Sequence, residues 1–195
     1  MANETRPKDT VYTAVADARM PFDEDLILVE RFVSGDPSAF EVLYSRYYEK
    51  VYSLAKGVVL DADEAADTTQ EIFALVYKNL RRFNRKSKFS TWLFRVAMNR
   101  AIQQTRRLKV RKTVDLTEAA SATAPEMPEP ADQRVTQAMS QLSPADRAVL
   151  TLFYWEELSL NEIAASMGCN VNAAKTRLYR ARERFRDAFG EEEPV

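Results

Sequence analysis

The carboxy-terminal part of the chain contains two short helical patterns separated by one glycine, in the stretch LSLNEIAASMGCNVNAAKTRLYRARERFRDAF (158–189). Ser159 and Glu162 have the spacing of a capping box, in which the two side chains accept hydrogen bonds from free backbone N–H groups at a helix start. Gly168 suits the left-handed residue that ends a helix, and Asn170 can cap the helix that follows. The stretch therefore predicts two helices joined by a tight turn.

The second of these helices has two different faces. Its apolar residues recur at steps of three and four, which predicts one buried face. Its other face is polar and basic, and a helix, a glycine-containing turn and a second helix of this kind describe a helix-turn-helix, whose second helix enters the DNA major groove. An amphipathic surface helix in any helical bundle is the alternative. The apolar set is Val171, Ala174, Leu178, Ala181, Phe185 and Ala188, and the polar set is Asn172, Lys175, Thr176, Tyr179 and Arg180.

The composition predicts an all-α protein without cofactor or metal. Only four glycines occur in 195 residues, and alternating β-branched runs are scarce. The chain has one cysteine and no histidine, so an internal disulfide is excluded and the usual general base and nitrogen ligand are missing. The sequence contains neither an apolar run long enough to span a membrane nor a signal-peptide pattern, which predicts a cytoplasmic protein without membrane insertion.

Composition along the chain predicts two small helical domains. Residues 113–132 are rich in small residues, prolines and acids, which is typical of a flexible linker. We therefore predict domains at 22–112 and 133–190, preceded by a mobile extension over 1–21. Helices are expected over 22–33, 37–60, 61–83 and 133–142. Two further helices should follow Ser90 and Ser143, which can act as their N-caps. Trp155 is predicted to lie in the core of the second domain.

Charge is strongly segregated although the formal net charge is only −1. No Lys or Arg occurs in 57–77, whereas 72–114 contain thirteen Lys or Arg and no acid. The helix dipole explains acids in the first turn of the third predicted helix, but its effect fades after that turn. Asp67, Gln70 and Glu71 lie beyond it, at helical spacing, and are predicted to form one polar patch.

The predicted helix after Ser90 has a face suited to nucleic acid. Trp92, Arg95, Asn99, Gln103 and Arg106 fall on this face. Aromatic rings stack on bases, and cations hold phosphates, so the combination favours binding of single-stranded nucleic acid. A solvated basic face with one half-buried tryptophan is the alternative.

Three segments of the chain, taken in order, resemble one known family. They are DADEAADTTQEIFALVY (61–77), FNRKSKFSTWLFRVAMNRAI (83–102) and the long stretch from Leu142 to Phe185. In this order, with the linker between the second and third segments, they resemble the extracytoplasmic-function (ECF) sigma factors of bacterial RNA polymerase, in the sigma-70 family. The resemblance covers about residues 24 to 189.

The resemblance implies a transcription initiation factor that binds core RNA polymerase and promoter DNA, promotes melting of the DNA and is held by an anti-sigma factor. Three groups of residues match family sites. The clamp patch, which would face the clamp helices of the largest polymerase subunit, is Asp67, Gln70 and Glu71. The −10 surface is Lys86, Ser87, Lys88, Phe89, Trp92, Arg95, Asn99 and Arg100. The −35 surface is Asn172, Lys175, Thr176, Arg177 and Arg180, in a domain that would also contact the polymerase flap.

Two other functions remain open from the residues alone. An autonomous helix-turn-helix regulator could bind duplex DNA as a dimer, but it would have no use for the clamp patch or the linker. An enzyme acting on nucleic acid could use Asp67 and Glu71 as catalytic carboxylates, but the sequence offers no third ligand nearby. We therefore predict a protein that is not an enzyme, and binding to core polymerase separates this reading from both rivals.

Overall fold

The computed structural model describes residues 23–115 and 130–190, and every regular element in them is helical. The predicted all-α architecture with two helical domains is confirmed. The extension over 1–21 and most of the linker lie outside the described residues. The helices are α1 Glu24–Val33, α2 Ser38–Val59, α3 Ala62–Asn79, α4 Phe89–Asp115, α5 Pro130–Gln141, α6 Pro144–Tyr154, α7 Leu160–Met167 and α8 Val171–Phe189, with a short 3-10 helix, Leu80–Arg82, after α3.

Several predicted helix ends differ from the structure. Helix α4 begins at Phe89, so Ser90 lies inside its first turn and is not its cap. Helix α3 ends at Asn79, where the chain tightens into the 3-10 helix. Helices α4 and α5 also cover both ends of the predicted linker, since α4 runs to Asp115 and α5 starts at Pro130.

The core of the amino-terminal domain lies between α2, α3 and α4. Leu54 of α2, Ile72 of α3 and Leu93 of α4 are fully buried there. A polar contact attaches α1 to this core, because the Tyr47 hydroxyl donates a hydrogen bond to buried Asp25. Burial, reinforced by that hydrogen bond, raises the pKa of Tyr47. Tyr47 is thus a core residue of α2, whereas Tyr44 on the same helix is 36% exposed.

The carboxy-terminal domain follows its local sequence signals closely. The Ser159 hydroxyl accepts a hydrogen bond from Glu162 N, and the Glu162 carboxylate accepts one from Ser159 N, which completes the predicted capping box. Gly168 adopts the left-handed conformation at φ 67°, and Asn170 caps α8 by accepting from Ala173 N at 2.8 Å. The packing of this domain is less predictable, because Trp155 is 55% exposed and lies outside the core.

The two domains pack against each other. Helix α2 contacts α6, and α4 contacts α7, so buried apolar residues of both domains form one continuous cluster. At the α2–α6 contact a Cβ atom on Gly57 would overlap the Thr151 hydroxyl. Glu156, just after α6, lies against Ser53 of α2, and burial raises its pKa.

Within residues 23–115 and 130–190, no helix combines the length and the apolar character that crossing a membrane would require.

Candidate polymerase-binding and nucleic-acid interfaces

The clamp patch lies on the solvent face of α3. Asp67, Gln70 and Glu71 are all exposed, whereas Thr68 and Ile72 lie on the inner face of the helix and are buried. The acids of the first turn have a separate, structural role, since Asp61 caps α3 by accepting from Glu64 N at 2.9 Å. The structure therefore brings the three predicted residues together and separates them from the capping acids.

The clamp patch is linked directly to the −10 surface by one ion pair. Arg100 Nε of α4 donates to Glu71 Oε2 of α3 at 2.7 Å. The Arg100 side chain is only 11% exposed, while that of Glu71 is 50% exposed. Arg100 thus holds one acid of the clamp patch in place, and its guanidinium is less available to DNA than the sequence pattern predicts. The pair joins residues 29 positions apart, so no local pattern could reveal it.

Phe89 does not share the exposure of the rest of the −10 surface. Its ring is 1% exposed and packs against the rings of Tyr47, Phe83 and Trp92. In this arrangement the ring of Phe89 is not accessible to a base, so its burial does not support the predicted contact of Phe89 with the −10 element. Its burial instead fixes the start of α4, where Phe89 N donates to Asp23 Oδ2 at 3.3 Å.

The loop before α4 is held in a defined shape. Arg85 has a positive φ of 57°, which non-glycine residues seldom adopt, and its guanidinium lies 3.1 Å from Glu30 Oε1 of α1. Lys86 N donates to Asn84 Oδ1 at 3.2 Å. These contacts present Lys86 to solvent beside the half-buried Ser87.

The accessible part of the −10 surface continues along α4. Arg95 and Asn99 are exposed, and Trp92 and Lys88 are partly exposed. Two of these side chains already have partners in the other domain: Lys88 Nζ lies 3.4 Å from Glu162 Oε1, and Arg95 Nη2 donates to the Ala165 carbonyl oxygen at 2.5 Å. Both contacts are with α7, which the sequence pattern did not place near the −10 surface.

The −35 surface is exposed along one side of α8. All five predicted residues face solvent, while Ala174, Leu178 and Ala181 on the opposite side are buried. Val171, predicted to be buried, is 41% exposed because it lies at the first position of the helix. The exposed set is Asn172, Lys175, Thr176, Arg177 and Arg180.

A buried carboxylate contacts two arginines of α8, of which Arg177 belongs to the −35 surface and Arg184 lies beside it. Asp146 of α6 accepts from Arg184 Nη1 at 2.5 Å and lies 3.7 Å from Arg177 Nη1. Together with Ser143 and Arg180 these residues line an open cleft of about 600 Å³ between the start of α6 and α8. Local sequence shows Asp146 only as an acid in a first helical turn. Its link to Arg184, 38 positions away, depends on how α8 packs on α6.

Comparisons with known proteins match both parts of the chain to one family. The model of sigma-70 region 2 matches residues 43–111, and the model of sigma-70 region 4 matches residues 132–185. The chain is 36% identical over 176 residues to the RNA polymerase sigma-H factor of Pseudomonas aeruginosa, which covers 83% of this chain and 91% of that protein. It is also 36% identical over 175 residues to the ECF RNA polymerase sigma-E factor of Escherichia coli K12, covering 82% of this chain and 91% of that one.

Solved structures show the same fold. CnrH in complex with the cytosolic domain of CnrY is similar with a TM-score of 0.62 at 23% identity, over 83% of this chain and 94% of that one. RpoE of Bartonella quintana, in complex with the anti-sigma factor NepR, is similar with a TM-score of 0.62 at 22% identity, over 76% of this chain and 95% of that one. With both family models matched in order and curated relatives at 36% identity, the chain belongs to the ECF sigma factors of the sigma-70 family and is a factor of transcription initiation.

Proposed function

We propose that the clamp patch binds core RNA polymerase and that the −10 and −35 surfaces then direct the enzyme to its promoters. The observation that carries this proposal is the separation of charge between neighbouring helices. Helix α3 exposes Asp67 and Glu71, while α4 and the loop before it expose Lys86 and Arg95. One domain can therefore hold a basic protein surface on one side and nucleic acid on the other, as electrostatic complementarity requires.

The two DNA surfaces would do different work. The −35 surface is on a helix that fits the major groove, where side chains reach base edges of an intact duplex. The −10 surface combines cations with Trp92 and Asn99, which suits bases that have left the stack. Trapping such bases offsets an unstacking cost of a few kcal/mol and so promotes melting. We take 22–112 and 133–190 as the domains that carry these surfaces, joined by 113–132.

The proposed roles also imply which partners the protein has and where in the cell it acts. All of these roles are binding roles, so the protein acts without making or breaking a covalent bond and needs no cofactor. RNA polymerase works in the cytoplasm, and the protein acts there. RpoE of Bartonella quintana was solved with an anti-sigma factor, and we propose that this chain, too, is controlled by an anti-sigma protein.

Reconstitution with purified components tests the proposal. The full chain should co-elute with the core polymerase of its own bacterium in size-exclusion chromatography. The reconstituted enzyme should then transcribe from promoters that core polymerase alone ignores. An autonomous regulator would bind duplex DNA tightly as a dimer without polymerase and would not co-elute, so this result would refute the proposal.

Truncating one side chain in each DNA surface should affect different steps of promoter opening. Asn99→Ala should impair promoter melting more than initial binding, because Asn99 lies on the −10 surface. Arg180→Ala should weaken initial binding, since a base contact of this kind is worth about 1–3 kcal/mol, and should leave melting of the bound complex nearly unchanged. Gel shifts measure the first step, and permanganate reactivity of unpaired thymines measures the second.

A matched control for this pair is Arg186→Ala. Arg186 is on the same helix as Arg180 but pairs with Glu183 at 2.9 Å, away from the −35 surface, so neither step should change. If Asn99→Ala and Arg180→Ala affect both steps equally, the division between the surfaces is refuted.

A further inference from the structure

We propose that Arg184 is a further DNA-binding residue, which contacts a backbone phosphate beside the −35 element, and that the buried carboxylate of Asp146 positions it. Neither residue belongs to the predicted −35 surface. The inference rests on the proposed function, because it takes α8 to lie in the major groove of promoter DNA. It extends that function by assigning a phosphate contact and the residue that prepares it.

Arg184 continues the −35 surface towards the carboxy-terminal end of α8. Arg177, Arg180 and Arg184 recur at steps of three and four, so they lie on one side of the helix. A recognition helix contacts base edges with its amino-terminal residues, whereas Arg184 lies in the second half of α8. Phosphates border the groove on both sides, and arginine is a common donor to them. The position of Arg184 therefore favours a backbone contact over a base contact.

The open cleft between the start of α6 and α8 gives a phosphate access to Arg184. Among the described residues, the charged lining of this cleft consists of Asp146 and the three arginines. The side chain of Arg184 is 58% exposed, and that of Arg177 is 44% exposed. Three guanidinium groups and one carboxylate leave the cleft with an excess of positive charge, which attracts the DNA backbone.

Asp146 holds the two outer arginines of this cleft. Its Oδ2 accepts a hydrogen bond from Arg184 Nη1 at 2.5 Å, and its Oδ1 lies 3.7 Å from Arg177 Nη1. Asp146 is only 3% exposed and lies in the first turn of α6, where the partial positive charge of the helix end stabilises a carboxylate. Because a buried helical residue has little freedom to move, Asp146 restricts the orientations of both guanidinium groups.

Both arginines keep donors for a second partner. A guanidinium group has five N–H donors, and the closest contact with Asp146 uses Nη1 of each arginine. An arginine that is already oriented loses less side-chain freedom when DNA binds. The charge of Asp146, taken alone, repels phosphates and weakens binding. Positioning and repulsion thus have opposite effects on affinity, so a substitution of Asp146 can distinguish between them.

Duplex binding by the reconstituted holoenzyme tests the inference. The wild-type holoenzyme first selects a duplex from a pool of random sequences. The same duplex with its −35 element scrambled then serves as the non-specific reference. Fluorescence anisotropy at several salt concentrations gives three quantities for each variant: the affinity, the ratio of affinities for the two duplexes, and the slope of log affinity against log salt concentration.

Arg184→Ala should weaken binding of both duplexes by the same factor, about two- to tenfold, because a phosphate contact carries no sequence information. The salt slope should become shallower by about 0.9, the value for one phosphate contact. The matched control is Arg186→Ala, which removes the same charge from the same helix. Arg186 pairs with Glu183, so its slope should stay that of the wild type. Equal changes of slope in the two variants would overturn the inference.

Asp146→Asn keeps the shape of the side chain and removes its charge. It should lower the ratio of affinities for the selected and scrambled duplexes about two- to tenfold, since Arg177 of the −35 surface loses its anchor. In this background Arg184→Ala should have little further effect, because Arg184 is no longer positioned. The double variant also leaves no unpaired buried charge, and thermal unfolding followed by circular dichroism checks that each variant is folded.

Failure of this inference can be told apart from failure of the proposed function. If Asp146→Asn tightens binding of both duplexes, Asp146 only repels DNA, and the inference is overturned. It is also overturned if Arg184→Ala has the same effect with Asp or Asn at position 146, or leaves the salt slope unchanged, while the wild type still prefers its selected duplex. If the wild type forms no holoenzyme or enriches no −35 sequence, the proposed function fails, and the inference fails with it.

Discussion

Replacing Asp67 and Gln70 together by lysine is expected to abolish binding to core polymerase. Both side chains are exposed on α3, so the folded domain has no internal need for them. Loss of one partner from a buried interfacial charge pair costs about 2–5 kcal/mol, and a reversed charge adds repulsion. At 1.4 kcal/mol per factor of ten, affinity should fall by about thirtyfold or more. Fluorescence anisotropy of the labelled chain, titrated with core polymerase, measures this loss.

Glu71 is deliberately left unchanged in this experiment. It pairs with Arg100, and its replacement would disturb the −10 surface as well as the clamp patch. The matched control is Ser45→Lys with Glu49→Lys, which changes one neutral and one acidic exposed residue of α2 by the same charge. Both double variants should keep the helical circular-dichroism signal. Equal affinity of the two for core polymerase would show that the clamp patch is not the docking site.

Phe89→Ala is expected to destabilise the amino-terminal domain by about 3–5 kcal/mol, because a buried phenylalanine loses its apolar burial and leaves a cavity. This is a large part of the 5–15 kcal/mol that typically separates folded from unfolded domains. The ring of Phe89 contacts Tyr47, Phe83 and Trp92, so the cavity would form at the centre of the −10 surface. Urea unfolding followed by circular dichroism measures the free energy of unfolding.

Two further variants complete this experiment. Phe89→Leu keeps most of the apolar volume and should lose much less stability. Tyr179→Ala, on the exposed side of α8, should change stability by no more than about 0.5 kcal/mol. If Phe89→Ala is as mild as Tyr179→Ala and yet abolishes promoter melting, Phe89 contacts a base after all, and the support role derived from its burial is wrong.

Much of the fold could be predicted from the sequence, because its signals are local. The cap at Ser159, the helix end at Gly168 and the cap at Asn170 each depend on residues within a few positions of one another, and all three are confirmed. Trp155 was predicted to be in the core because it follows an apolar run. Helix α6, however, ends at Tyr154, so the helical spacing no longer applies to the next residue.

The contacts between distant segments could not be predicted. Arg100 and Glu71 are 29 positions apart, and Lys88 and Glu162 are 74 positions apart. Glu162 was predicted in a capping box and the other three in binding sites, but no local signal identifies the partner of any of the four. Only the packing of α4 on α3 and of α4 on α7 gives them partners. The residues of the three binding sites remain predictions from family resemblance, which their exposure supports except at Phe89 and, in part, at Arg100.

The fit between Gly57 and Thr151 has a consequence for the construction of hybrid factors. Exchanging carboxy-terminal domains between relatives is a direct way to recombine promoter preferences if, as proposed, each domain carries its own DNA surface. Such an exchange would also place a foreign side chain opposite Gly57, where no space is left for an added Cβ atom. A hybrid could therefore keep the side chains of both proposed DNA surfaces and still lose the packing of α6 on α2. Matching the residue at position 151 to the recipient domain should be part of its design.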